Sequence, residues 1–282
     1  MSGLKRGSFR TNDGVTLSYL EGGGAGKMPL VLLPGWSQSA NTFKFVLDGL
    51  CANYHVYALD HRGHGESEKP AWGYRISRLA KDFDDFLSAL NLKKIHALGH
   101  SMGCAVIWCY MELFGQEVFS KLVLNDQRAA TLRDSAWTDR QVEDMGATIA
   151  PEALYEVKHA LSGKDSPAAR RGRLKDMTSA TLNTSVFEWL LGENLKMPQD
   201  YAARLLYNNW TADWSDIIPR INVPTLLIGG RGSSTPWKTL VWQNKVISGS
   251  RLEIFEESEG GSHFPFVENP AKYLKVVRDF LG

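Results

Sequence analysis

The sequence has 282 residues but only three cysteines, Cys51, Cys104 and Cys109. They cannot all pair internally and none forms a C-x-x-C. A disulfide scaffold or a zinc site is therefore not expected, and a reducing compartment suits the chain. Charge of one sign is also missing: 32 Lys+Arg stand against 31 Asp+Glu, a net charge of +1. That leaves no basic field for nucleic acid and no acidic tail. No run of about eighteen apolar residues exists to span a membrane. The start, MSGLKRGSFRTNDG, has no apolar segment of the secretory kind, and the end, RDFLG, has no prenylation box. A cytoplasmic protein with neither a nucleic-acid nor a membrane partner is expected. H-E-x-x-H is absent, and Gly22-Gly23-Gly24 lacks the Lys-Ser/Thr of a phosphate loop, so no metal or cofactor is expected either. Composition carries no signal for the oligomeric state.

What is present is ordinary globular usage, 43% apolar and 22% charged residues, in a chain long enough to bury a core without staples. Strand-like and helix-like segments alternate. The first 22 residues alternate like a hairpin, with a strand over 15–21. Short apolar runs at 29–35, 54–60, 94–100, 121–126 and 223–230 read as strands buried on both faces, and 251–257 as a strand near an edge. Helical spacing marks 41–51, 75–92, 102–114 and 269–281. Such alternation predicts an α/β fold with a mostly parallel sheet and helices on both faces. Residues 127–219 break the pattern. They are helix-like and rich in large apolar groups, and predict a helical cap inserted between a core of residues 1–126 and 220–282.

Two motifs carry chemistry. Gly99-His100-Ser101-Met102-Gly103 is G-x-S-x-G between a predicted strand and a predicted helix. Flanking glycines permit a turn tight enough to expose Ser101 at a helix N-terminus, where the dipole favours negative charge. A hydroxyl needs a general base, and His263 in Gly260-Gly261-Ser262-His263-Phe264-Pro265 is delivered by a glycine-rich loop after the last strand. His55 and His96 lie within strands, His159 in the cap, and His61 and His64 in a structural loop.

With Leu33-Pro34-Gly35-Trp36 and Asp60-His61-Arg62-Gly63-His64-Gly65-Glu66-Ser67, these motifs make the chain resemble the α/β-hydrolase superfamily over essentially its full length. The resemblance implies an eight-stranded sheet and an oxyanion hole formed by the amides of Trp36 and Met102. Most of the superfamily places its orienting carboxylate after the strand at 223–230, but no Asp or Glu occurs from Pro219 to Ser250. Asp126, ending the preceding strand, is the candidate acid, with capping of the next turn as its other reading. A relocated acid resembles fungal lactone hydrolases and the cofactor-free dioxygenases of 3-hydroxy-4-oxoquinolines. Other segments resemble non-haem chloroperoxidases. Met102 stands where the dioxygenases have a second histidine, which favours hydrolysis.

The expected function is thus a serine hydrolase for a carboxylic ester or lactone of a mid-sized hydrophobic or aromatic small molecule. Ser101, His263 and Asp126 are its catalytic residues, and a cofactor-independent dioxygenase is the alternative. Trp36, His100, Trp137, Trp189, Trp210 and Phe264 are expected around the substrate. Arg128, Arg133 and the Arg170-Arg171-Gly172-Arg173 run read as a solvated cap face, with anion binding as the alternative.

Overall fold

The computed structural model describes residues 3–282; the first two, part of the expected core segment, lie outside the described residues. Eight strands form one open sheet: β1 (Lys5–Arg10), β2 (Thr16–Gly22), β3 (Pro29–Leu33), β4 (His55–Leu59), β5 (Ile95–His100), β6 (Phe119–Asn125), β7 (Thr225–Gly230) and β8 (Arg251–Phe255). Their order is β1-β2-β4-β3-β5-β6-β7-β8. β1 and β2 are antiparallel, β2 joins β4 antiparallel, and every later pairing is parallel. The sheet is the mostly parallel α/β arrangement that the alternating sequence predicts.

Side chains of a strand alternate between faces, and here each face has its own core. Leu30, Leu32, Val56, Ala58, Leu98 and Val123 pack on one side with Phe43, Leu47, Tyr273 and Val277. Those partners surround and include α1 (Lys44–Cys51) and α11 (Pro270–Leu281). Val31, Leu33, Leu59, Ala97, Leu122 and Leu124 pack on the other side with Leu79, Phe83 and Trp108. These come from α2 (Ile76–Ala89) and α3 (Met102–Phe114). α3 is buried from Met102 to Met111 without a polar stripe, as a helix clamped between sheet and neighbours must be. α11 starts on Pro270, and the Asn269 side chain accepts from the Lys272 amide, closing the helix start.

Between β6 and β7 run five helices and no strand: α4 (Asp139–Met145), α5 (Ala153–Ser162), α6 (Ser166–Met177), α7 (Thr184–Leu195) and α8 (Gln199–Trp210). α9 (Trp237–Val246) and the single turn α10 (Pro265–Glu268) complete the chain. The chain passes from β3 outward to β4 and then back across to β5, so strand order reverses between β3 and β5. In open α/β sheets, ligand crevices form at the carboxyl ends of strands at such a reversal. Among the described residues no helix is long and apolar enough to cross a membrane.

The fold buries one guanidinium completely. Arg62 donates to both Asp82 oxygens at 2.6 Å and to Asp13 at 3.0 and 3.1 Å, and the Arg62 and Asp82 side chains are both wholly inaccessible. Removing one partner of a buried ion pair leaves an uncompensated charge and costs about 3–5 kcal/mol. Asp82→Asn is expected to lower stability by that order, read as a shifted urea midpoint at unchanged slope. Disrupting the exposed Lys275–Asp279 pair should not move the midpoint measurably.

Candidate active site

Ser101 sits between β5 and α3 with φ 52° and ψ −124°, a backbone that L-residues avoid and that persists only where the surroundings over-determine it. Two contacts do so. Its amide donates to Asn125 O at 2.8 Å, and its carbonyl accepts from Cys104 N at 2.8 Å. Gly103 is required: a Cβ there would lie 2.1 Å from Leu33 O, so the helix is backed directly onto β3. The chain therefore turns from strand into helix on one residue, with the hydroxyl at the turn's apex.

Asp126 follows β6 and also has a left-handed backbone, φ 57°, which Asp tolerates better than most residues. Its amide bonds to Ile228 O at 2.8 Å, extending the ladder to β7. The Asp126 carboxylate is wholly buried, and its Oδ2 accepts from His263 Nδ1 in a short contact. The same oxygen accepts from Ser233 Oγ at 2.5 Å. Ser233 belongs to the loop after β7, which thus contributes a hydroxyl to the Asp126 carboxylate. Sequence reading did not single out Ser233, because a serine in a Gly-Ser-rich loop gives no signal until its partner is known. On its other side His263 is held by backbone: its amide donates to Met177 O at 3.1 Å, and its carbonyl accepts from His100 Nε2 at 2.9 Å. Gly261 lets the loop pass, since a Cβ there would lie 2.1 Å from Phe255 O.

The loop after β3 is tied down by side chains from elsewhere. Trp36 Nε1 donates to Ala202 O at 2.8 Å, and Ser37 Oγ to Asn194 O at 3.0 Å. The Ser37 amide donates to His64 Nε2 at 3.0 Å, while His64 Nδ1 donates to Arg62 O at 2.9 Å. The amides of Trp36 and Met102 donate to no acceptor among the described residues. Two free amides beside an exposed hydroxyl can receive a developing negative charge.

A cavity of about 190 Å³ opens at these strand ends, lined by Trp36, Ser101, His263, His100, Phe264 and Trp210 among others. Four of the six residues expected around the substrate are thus on its wall: Trp36, His100, Trp210 and Phe264. Trp137 and Trp189 are not. Trp137 lines a separate surface cleft beside Arg133. Trp189 lies on the side of α7 facing α1, with its ring 5.5 Å from Phe45 and the Lys44 ammonium 3.4 Å from the ring centroid. An aromatic residue on a helix in the insertion says nothing of which way that helix face points.

The roof is also less apolar than expected. Leu174, Met177 and Leu206 line it, but so do Asn209, Arg128, Arg170 and Arg173. The expectation that the Arg170–Arg173 run forms a solvated face fails for its first and last members. α6 places Arg170, Arg173, Leu174 and Met177 at helical spacing on one face, and this face meets the cavity. Arg171 points away and pairs with Glu188 at 2.7 Å. The three/four-residue spacing groups them on one face but does not say which way that face turns.

The family model described as alpha/beta hydrolase fold matches residues 28–270. The chain is similar to a proline iminopeptidase of Heyndrickxia coagulans, 26% identical with 91% of each chain covered. Among solved structures it is similar to an esterase from a Rhodococcus species, 26% identical, covering 100% of this chain and 98% of the other at a TM-score of 0.83. A second, an esterase from Exiguobacterium antarcticum, shares 22% identity and the fold, covering 97% of this chain and 98% of the other at a TM-score of 0.87.

Burial pushes His64 down to about 4 and His61 to about 3, and both are neutral in the folded protein near pH 7. Unfolded, a histidine titrates near 6.5, so between that value and the folded one the unfolded chain binds more protons. Stability is therefore fully present above about pH 6.5 and falls as pH drops toward 4, by up to about 1.4 kcal/mol per pH unit per histidine. Urea melts from pH 7 to 5 should show this fall. In His64→Gln the slope should be shallower, because one of the titrating groups is gone.

Proposed function

Because the chain belongs to the α/β-hydrolase-fold family, we propose that it is a serine hydrolase cleaving a carboxylic ester or lactone of a small molecule through an acyl-enzyme. Ser101 Oγ attacks the acyl carbon while the His263 imidazole takes its proton. The imidazolium then protonates the leaving oxygen as the acyl C–O bond breaks. A water molecule repeats the attack with His263 as base, releasing the acid and free Ser101. Asp126 holds the imidazole in one tautomer and stabilises its charged form. The amides of Trp36 and Met102 donate to the tetrahedral oxyanion, each worth roughly 2.7–4 kcal/mol in sites of this kind.

The observation that carries this reading is the strained turn that presents Ser101 on the same cavity wall as His263, whose far nitrogen is bonded to a buried carboxylate. The similarity to an esterase at 26% identity supports an ester. Peptides attacked at their amino end fit less well, since their ammonium group would meet three guanidiniums. The cavity is smaller than the roughly 300–1,000 Å³ of drug-sized clefts. It suits a small acyl portion lying against the Trp36, Trp210 and Phe264 rings. The His263–Asp126 pair could equally abstract a substrate proton, which keeps the cofactor-free dioxygenase as a second reading.

A panel of small esters and lactones, followed by release of acid, tests the proposal. Ser101→Ala should abolish turnover, and Asp126→Asn should lower kcat by about 10⁴-fold, as loss of the correct tautomer does. Oxygen uptake with aromatic heterocycles that survives Ser101→Ala would select the dioxygenase instead. An Asp126→Asn rate near wild type would remove Asp126 from the machinery.

A further inference from the structure

Three arginines line the cavity that holds Ser101, and among the described residues none has a carboxylate within 4 Å. Their roles differ. Arg170 is a strut: its guanidinium donates to Asn194 Oδ1 and Met197 O at 2.8 Å, and also to Ser37 Oγ and Asn194 O. It ties α6 and α7 to the loop carrying Trp36, and its donors are used. Arg128 donates only to neutral oxygens, Thr148 Oγ1 at 2.7 Å, Ser234 O at 2.5 Å and Gly146 O at 3.2 Å. Arg173 makes no hydrogen bond among the described residues. Its Nε is buried without a partner, and its guanidinium carbon lies 4.7 Å from the Trp210 ring centroid and 5.9 Å from that of Trp36.

A guanidinium carries five N–H donors and stays charged. Burying such a charge without a partner is costly. Contact with two aromatic faces offsets part of that cost, yet leaves the N–H groups unused. Burial lowers Arg128 and Arg173 to about 10, so both remain protonated at neutral pH. Asp176 also lines the cavity and its charge acts on Arg173, but it is exposed and makes no ion pair with Arg173 within 4 Å. The wall therefore carries three guanidiniums against one exposed carboxylate beside the candidate nucleophile.

We propose that the ester or lactone substrate carries a free carboxylate, received by Arg173 as primary anchor with Arg128 as the second cation. This rests on the hydrolase reading for the identity of the substrate, but the anion site itself does not. A planar carboxylate matches the guanidinium fork, and a cavity of about 190 Å³ admits a short skeleton bearing both groups. The substrate class is then half-esters of short dicarboxylic acids, or lactones bearing a carboxylate.

Calorimetric titration of the wild-type protein with glutarate and with its neutral analogue glutaramide reads the anion site without turnover. Glutarate should bind at least 10-fold tighter than glutaramide. Arg173→Gln should erase that preference, Arg173→Lys should restore part of it, and Arg171→Gln, on the exposed face, should leave it intact. Should Arg173→Gln not fold, Arg128→Gln serves, with a smaller loss expected. Equal binding of the two ligands, a preference that survives Arg173→Gln, or inorganic phosphate binding tighter than glutarate would overturn the proposal. A kinetic arm compares kcat/KM for monophenyl glutarate and phenyl pentanoate, with the charged ester favoured at least 10-fold. If neither ester turns over while glutarate still binds through Arg173, the hydrolase reading fails and the anion site stands.

Discussion

The site depends on one close approach, that of α3 to the backbone of β3. A single methyl at Gly103 would lie 2.1 Å from Leu33 O, so only glycine lets the helix start where it does. With the helix fixed there, the chain has one residue in which to change direction, and Ser101 takes a backbone that would cost of order 1–3 kcal/mol in isolation. The two-sided core repays that strain many times over, because fully burying one large aliphatic side chain contributes about 1.5–3 kcal/mol. Everything the site does follows from where this turn leaves the hydroxyl: at the strand-order reversal, at a helix N-terminus, beside two unused amides.

Around the turn the protein balances buried polarity. Asp60 accepts from the Ala40 amide at 2.7 Å and from the Glu66 amide at 3.1 Å. His64 links the Arg62 carbonyl to the Ser37 amide. His100 spends one ring nitrogen on the His263 carbonyl, and burial keeps it neutral. Each of these side chains bonds to backbone and holds it in place. Arg173 differs from them, a charged group with aromatic faces beside it and no hydrogen-bond acceptor among the described residues. Arg62 has two carboxylates and Arg170 has four bonds to neutral oxygens; that contrast is why the cavity reads as built for an anion.

Much of this was legible in the sequence. Strands buried on both faces announce themselves as continuous apolar runs, and the predicted boundaries of β3 to β8 fall within two or three residues of those observed. Ser101 and His263 were legible because their motifs carry the backbone geometry they need, glycine by glycine. Asp126 was expected from the absence of any acid between Pro219 and Ser250 together with the resemblance to superfamily members whose acid follows the same strand, and its carboxylate meets His263 Nδ1. Ser233, which donates to it, carries no such signature. The insertion was harder. A helix that roofs a cavity and a helix that faces solvent share one periodicity, so Trp189 and Trp137 were expected on the wall and are elsewhere. Arg170 and Arg173 were expected in solvent and are on the wall, because which face of α6 points inward is set by tertiary packing alone.

The most direct measurement of the central claim is reaction with a fluorophosphonate probe, followed by intact mass and by mapping of the modified peptide. The account predicts one adduct per chain, on Ser101, with no adduct on the folded Ser101→Ala protein. A folded wild-type protein that takes no label, or takes it at another residue, would contradict the claim that this turn presents an activated nucleophile.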